Sequence, residues 1–171
     1  TLILDDILLD NDKIEAFSDS FTNYTLMWRF WNTIMINWET NYMLNAKKGE
    51  TIRMYFTNVS NTRPYNIIIP WTKIKLVWWD NGKYEKEEFI DSFVISTWER
   101  YVVEAYFENG WEYKIQNKTP NKTYDLWKVI VSDESVKDSY KKEFETLRTN
   151  QDVISDIDKF RPYFDKANDK A

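Results

Sequence analysis

The chain has 171 residues, 43% hydrophobic and 30% charged, with 23 Lys and Arg against 28 Asp and Glu for a net charge of −5. That length can bury one core, but there is no basic block of the kind nucleic acid attracts and no apolar run near the ~20 residues of a spanning helix. With no His and no Cys, the chain by itself has no imidazole base, thiolate nucleophile, disulfide or Cys/His metal site.

Thr1 to Asp6 show no basic segment running into an apolar one, so no export signal is expected in the chain as given. Leu2 to Leu4 and Ile7 to Leu9 predict an opening strand interrupted by Asp5-Asp6, and Thr33 to Ile36 predicts a short strand ended by an Asn37-Trp38 turn. From Glu50 onward, Ile52, Met54 and Phe56 alternate with Thr51, Arg53, Tyr55 and Thr57, the period of a strand with one face in the core. Asn58 to Arg63 is polar and predicts a loop; Tyr65 to Ile69 predicts a strand closed by Pro70, and Lys73 to Val77 one closed by Asp80-Asn81-Gly82. Phe89 to Ser96, Tyr101 to Phe107, Tyr113 to Ile115 and Leu126 to Val131 complete the set. Short strands at this spacing, divided by turn signals, predict an all-β sandwich or barrel.

After Ser132 the pattern changes. Val136, Tyr140, Phe144 and Leu147 fall at helical spacing, and Val153, Ile154, Ile157 and Phe160 make a second stripe ended by Arg161-Pro162. Residues 133–171 therefore predict a partly helical connector that follows a β-domain over 1–132, with a charged, frayed end from Asp165 to Ala171.

No arrangement of residues forms a self-contained active site. The carboxylate pairs Asp5/Asp6 and Glu87/Glu88 could serve glycoside hydrolysis only if two of them converged across a cleft. Neighbours on a strand point to opposite faces, so solvated carboxylates are the simpler expectation. The Asn-x-Ser/Thr matches at Asn23, Asn58, Asn117 and Asn121 carry little weight in a chain so rich in Asn and Thr. No catalytic, cofactor-binding or metal-ligating residue is assigned.

The chain has three Gly and nine Trp, where roughly 7% Gly is usual. Several Trp sit in turn sequences: Asn37-Trp38, Pro70-Trp71, Thr97-Trp98-Glu99 and Asn109-Gly110-Trp111. Turns of this kind favour a positive φ, which glycine adopts readily and tryptophan does not. The alternative is an exposed, Trp-rich, carbohydrate-stacking or partner-binding face on a stand-alone β-sandwich module.

The stretch from Tyr42 to Arg63, with Gly49-Glu50-Thr51-Ile52-Arg53 and Asn58 to Arg63 inside it, resembles a strand and loop of a cupredoxin, or plastocyanin-like, domain in multicopper oxidases. Lys75 to Gly82 resembles the next hairpin of that domain, and Phe93 to Val103, with Thr97-Trp98-Glu99-Arg100-Tyr101, the start of a later strand. Leu2 to Asp6 is similar to the first strand of the middle domain of three-domain, laccase-like enzymes, and Phe144 to Pro162 resembles the connector to their third domain. The resemblance implies a Greek-key cupredoxin-like β-sandwich within a copper-dependent oxidase that couples substrate oxidation to reduction of O₂. It implies copper in the parent enzyme and none bound by this chain, whose lack of His and Cys leaves no ligand to carry over. It further implies the first and third cupredoxin domains of the parent chain as partners, and a periplasmic or extracellular location. By the same resemblance, Trp28, Trp31, Trp38, Trp71, Trp78, Trp79, Trp98, Trp111 and Trp127 all stand where glycine is expected. That pattern fits UGA codons, which some bacterial codes read as glycine and another as tryptophan.

Overall fold

The structure, a computed structural model, describes residues 1–16, 20, 32–80 and 82–164. Trp28, Trp31 and Asn23 lie outside the described residues. Among the described residues, thirteen strands and three short helices follow one another. The first nine strands are β1 (Leu2–Ile7), β2 (Leu9–Asp10), β3 (Lys13–Ile14), β4 (Thr33–Ile36), β5 (Met43–Lys48), β6 (Glu50–Asn58), β7 (Tyr65–Ile68), β8 (Ile74–Trp79) and β9 (Gly82–Ile90). They are followed by β10 (Ser92–Ile95), β11 (Arg100–Phe107), β12 (Glu112–Lys118), β13 (Thr123–Ser135), α1 (Lys141–Glu145), α2 (Gln151–Asp158) and α3 (Arg161–Phe164).

Two sheets carry the fold, a six-stranded one in the order β4-β1-β6-β11-β8-β9 and a five-stranded one in the order β10-β7-β12-β13-β5. β2 and β3 form a separate small hairpin. Most neighbours are antiparallel, but β1 runs parallel to β6 and β13 parallel to β5. A parallel pair cannot be closed by a tight hairpin and needs a longer crossover, and here the chain passes through the other sheet on the way. The expected β-sandwich is therefore present.

The alternation read from β6 sets the core: Met54 and Phe56 are buried while Arg53 and Tyr55 face out. From the facing sheet come Ile67, Ile115, Trp127 and Val129. Phe56 lies at the centre, edge-on to Phe93 at 5.2 Å between ring centroids and tilted against Trp127 at 5.7 Å, geometries that favour aromatic pairs.

Several expectations are corrected. Asp5-Asp6 do not interrupt the first strand; β1 runs through them because Asp6 is buried against Arg63, Nε to Oδ2 2.6 Å, and needs no solvent. Phe89 to Ser96 is not one strand: the chain leaves the six-stranded sheet after β9 and enters the other as β10, changing sheets around Asp91. The stripe from Val136 to Leu147 is helical only over α1, because β13 runs on to Ser135 and bonds with β5 hold the chain extended. Arg161-Pro162 opens the short α3, which leaves α2 to end at Asp158. A proline near a helix start loses no needed hydrogen bond.

Phe56→Ala should lower the free energy of unfolding by about 4 kcal/mol with little change in denaturant slope, measured by urea unfolding.

Candidate functional site

On the outer face of the six-stranded sheet, strand register places charged residues side by side. Glu104 of β11 is directly opposite Arg53 of β6 on one side and Lys75 of β8 on the other. On β9, Phe89 is opposite Lys75, and Glu87 is two residues from it on the same face. Lys75 points outward because its neighbours Ile74 and Leu76 take the core face. Its side chain is nevertheless only 2% exposed, because the segment after β13 returns across this face.

The Lys75 ammonium is held by Glu104 Oε2 at 2.8 Å and Glu87 Oε2 at 3.8 Å, and it donates to the Glu143 carbonyl at 2.9 Å. Glu104 also accepts from Arg53, Nη2 to Oε1 2.5 Å and Nε to Oε1 2.9 Å. Glu87 accepts from the Arg148 guanidinium at 2.5 and 2.8 Å and from the Arg148 backbone N–H at 3.0 Å. Burial raises the Glu104 carboxyl, but the hydrogen bonds from Lys75 and Arg53 outweigh it and hold it below the ordinary value. The guanidinium of Arg148 is raised, first by its hydrogen bond to Glu87.

Phe144 of α1 closes the cluster from above, tilted on Phe89 at 5.4 Å and stacked on Tyr106 at 5.9 Å, with the Lys75 ammonium 5.6 Å from its ring centre. The following residues then pair with the edge of β9. Glu87 N–H donates to the Arg148 carbonyl at 2.9 Å, Asn150 N–H to the Glu85 carbonyl at 2.8 Å, and Asn150 Nδ2 to the Tyr84 carbonyl at 2.6 Å. Arg161 pairs with Glu85 beyond that. The recess beside the cluster, about 290 Å³, is lined by Arg53, Lys75, Glu104 and Arg148 together with connector residues 142, 143 and 146. Each of the three cations at its floor, Arg53, Lys75 and Arg148, is paired with one of the carboxylates Glu104 and Glu87, which suits holding a segment of chain in place.

The polar residues singled out in the sequence resolve into structural roles. Glu87 is a buried ion-pair partner while Glu88 is exposed, and Asp6 is locked to Arg63, which corrects the expectation of solvated carboxylates. Neither Asp5/Asp6 nor Glu87/Glu88 converges across a cleft; Glu87 and Glu104 do meet, on the Lys75 ammonium, as its ion-pair partners. Asn58 and Asn117 are buried. Asn58 donates to the Arg63 carbonyl at 2.8 Å and accepts from Ser60 Oγ at 2.6 Å, and Asn117 accepts from Asn66 N–H at 2.9 Å. Asn121 alone of the described sequons is exposed. The charged network escapes a reading of the sequence because its pattern lies across strands; only the register of four strands makes it visible. Among the described residues no group of three or more His, Cys, Asp or Glu is arranged to hold a metal. With no imidazole or thiolate in the chain, its donor set does not fit a blue-copper centre. No described helix is long and apolar enough to cross a membrane.

No family model and no curated protein sequence matches the chain. Solved structures do. A multicopper oxidase from Campylobacter jejuni is 22% identical with a TM-score of 0.63 over 80% of this chain and 30% of its own. McoA multicopper oxidase from the hyperthermophile Aquifex aeolicus is 17% identical with a TM-score of 0.68 over 81% of this chain and 32% of its own. The laccase-like multicopper oxidase CueO from Ochrobactrum sp. is 19% identical with a TM-score of 0.63 over 77% and 30%. The chain thus has the cupredoxin-like β-sandwich fold of these oxidases and spans about 30% of their length.

Lys75→Met should destabilise the chain by about 3 kcal/mol, because it leaves two buried carboxylates short of a partner, and should speed amide exchange over 141–150. Because Glu104 titrates below its ordinary 4.5 when folded, its contribution is present above that value and is lost as pH falls through the folded value. The unfolding midpoint should therefore drop on acidification below about pH 4.5, and Glu104→Gln should lessen the drop.

Proposed function

We propose that this chain is the middle, copper-free cupredoxin domain of a laccase-like multicopper oxidase. It spaces the first and third domains, which carry the copper and the chemistry of substrate oxidation and O₂ reduction. In this reading residues 1–132 are the domain and 133–171 the interdomain connector. The observation that carries it is the likeness of about four-fifths of this chain to under a third of each oxidase. A chain lacking every imidazole and thiolate could serve in such an enzyme only where ligands are not needed. The clamp on the outer sheet face suits this role, since it fixes the path of the segment that would lead to the next domain. A periplasmic or extracellular location follows from the same likeness.

The stand-alone binding module finds less support. A stacking platform needs several indoles on one exposed face. Here Trp38 lies between β4 and β5, Trp71 between β7 and β8, Trp98 between β10 and β11 and Trp111 between β11 and β12, with Trp78 and Trp79 at the end of β8, while Trp127 is buried in the core.

The test is the parent gene. The reading expects His-x-His and His-Cys-His motifs on both sides of this segment, and a parent protein with a copper-thiolate band and oxidase activity. This chain alone should take up no stoichiometric copper in a titration. A reading frame that closes just outside the segment, or a tight copper site on the isolated chain, would overturn the proposal.

A further inference from the structure

Seven described residues other than glycine have a positive φ. Four are Asn11, Asp12, Asn37 and Asp80, the residue types that tolerate this region best. The other three are Trp38 at 69°, Trp71 at 70° and Trp98 at 69°. For a bulky side chain such angles are genuine outliers.

Each of the three occupies the turn position that specifies glycine. Ile36 and Glu39 exchange both backbone hydrogen bonds at 2.9 Å, closing a two-residue hairpin loop of Asn37 (φ 51°) and Trp38. This is the primed turn for which Asn-Gly is the preferred pair. Thr72 N–H reaches the Ile69 carbonyl at 3.4 Å around Pro70-Trp71. A turn with proline at its second position and a positive φ at its third takes glycine, or less often asparagine, at the third. Glu99 N–H donates to the Ser96 carbonyl at 3.2 Å around Thr97-Trp98, again with the positive φ at the third position.

The indoles give nothing back. Trp38, Trp71 and Trp98 are 65%, 89% and 74% exposed, so neither packing nor a buried hydrogen bond offsets the backbone cost. Trp78, Trp79, Trp111 and Trp127 have no positive φ and carry no such strain. In the Asn109-Gly110-Trp111 turn the needed glycine is present. A Cβ at Gly110 would come 2.3 Å from Asp133 Oδ1.

We infer that positions 38, 71 and 98 are glycine in the protein its native host makes, their codons being UGA read as glycine. Large exposed side chains then vanish from three turns, and no ligand is to be sought for them. The inference stands or falls separately from the oxidase reading, because it concerns three turns and not the flanking gene.

Two experiments test it. Sequencing the three codons and mass-mapping peptides of the host's own protein should give UGA and glycine; UGG codons, or peptides that carry the indoles, overturn it. The triple variant W38G/W71G/W98G of the tryptophan-containing chain should unfold about 5 °C higher. A lower midpoint overturns the claim that these turns require glycine.

Discussion

The interaction on which the outer half of the molecule depends is the burial of one ammonium group. Lys75 stands on an inner strand and is covered on both sides, by the core beneath β8 and by the returning chain above it. A buried cation is tolerated only when its charge and its donors are met, and here two carboxylates and a connector carbonyl meet them. The same two carboxylates bind Arg53 and Arg148, so strands β6, β8, β9 and β11 and the connector share one alternating array of charge. Such an array is not strong evidence for stability, since desolvation offsets most of the attraction. Its value is in register: a strand shifted by one residue would put its own member of the array on the wrong face and leave the partners of that group unpaired.

A second knot secures the far end of the sandwich. Asn58, at the end of β6, binds the Arg63 carbonyl and the Ile95 carbonyl, while the Arg63 guanidinium reaches back to Asp6 on β1. Tyr65, buried next to it, gives its hydroxyl to the Asp5 carbonyl at 3.2 Å, and burial, then the Asp6 charge, pushes that phenol well above its ordinary value. Strand ends from both sheets are thus joined through side chains where no ladder can connect them.

Most of the strands are legible in the sequence because period-two alternation is a local property, and β6 and β11 show it plainly. Where alternation fails, a long-range partner is the cause. Asp6 reads as a break until Arg63, far along the chain, is placed beside it. Glu87 reads as solvated until the connector covers it. The stripe from Val136 reads as one helix, but pairing of β13 with β5 outweighs a helical preference over its first turn. The turns are the reverse case: Asn-Trp and Pro-Trp are turn sequences with one residue out of place, and the backbone angles there follow the turn and not the tryptophan.

The pairing of residues 148–150 with β9 also bears on solubility. An outermost strand with free N–H and C=O groups is a template on which another chain can add, and here the middle of β9 at Tyr84 to Glu87 is occupied by the molecule's own connector. A shortened chain stopped at 135, where β13 ends, would keep both sheets but uncover that edge, the Glu87 carboxylate and the ring of Phe89 together. It would be prone to intermolecular strand addition and hard to keep in solution, whereas one carried past Asn150 would retain its own cover.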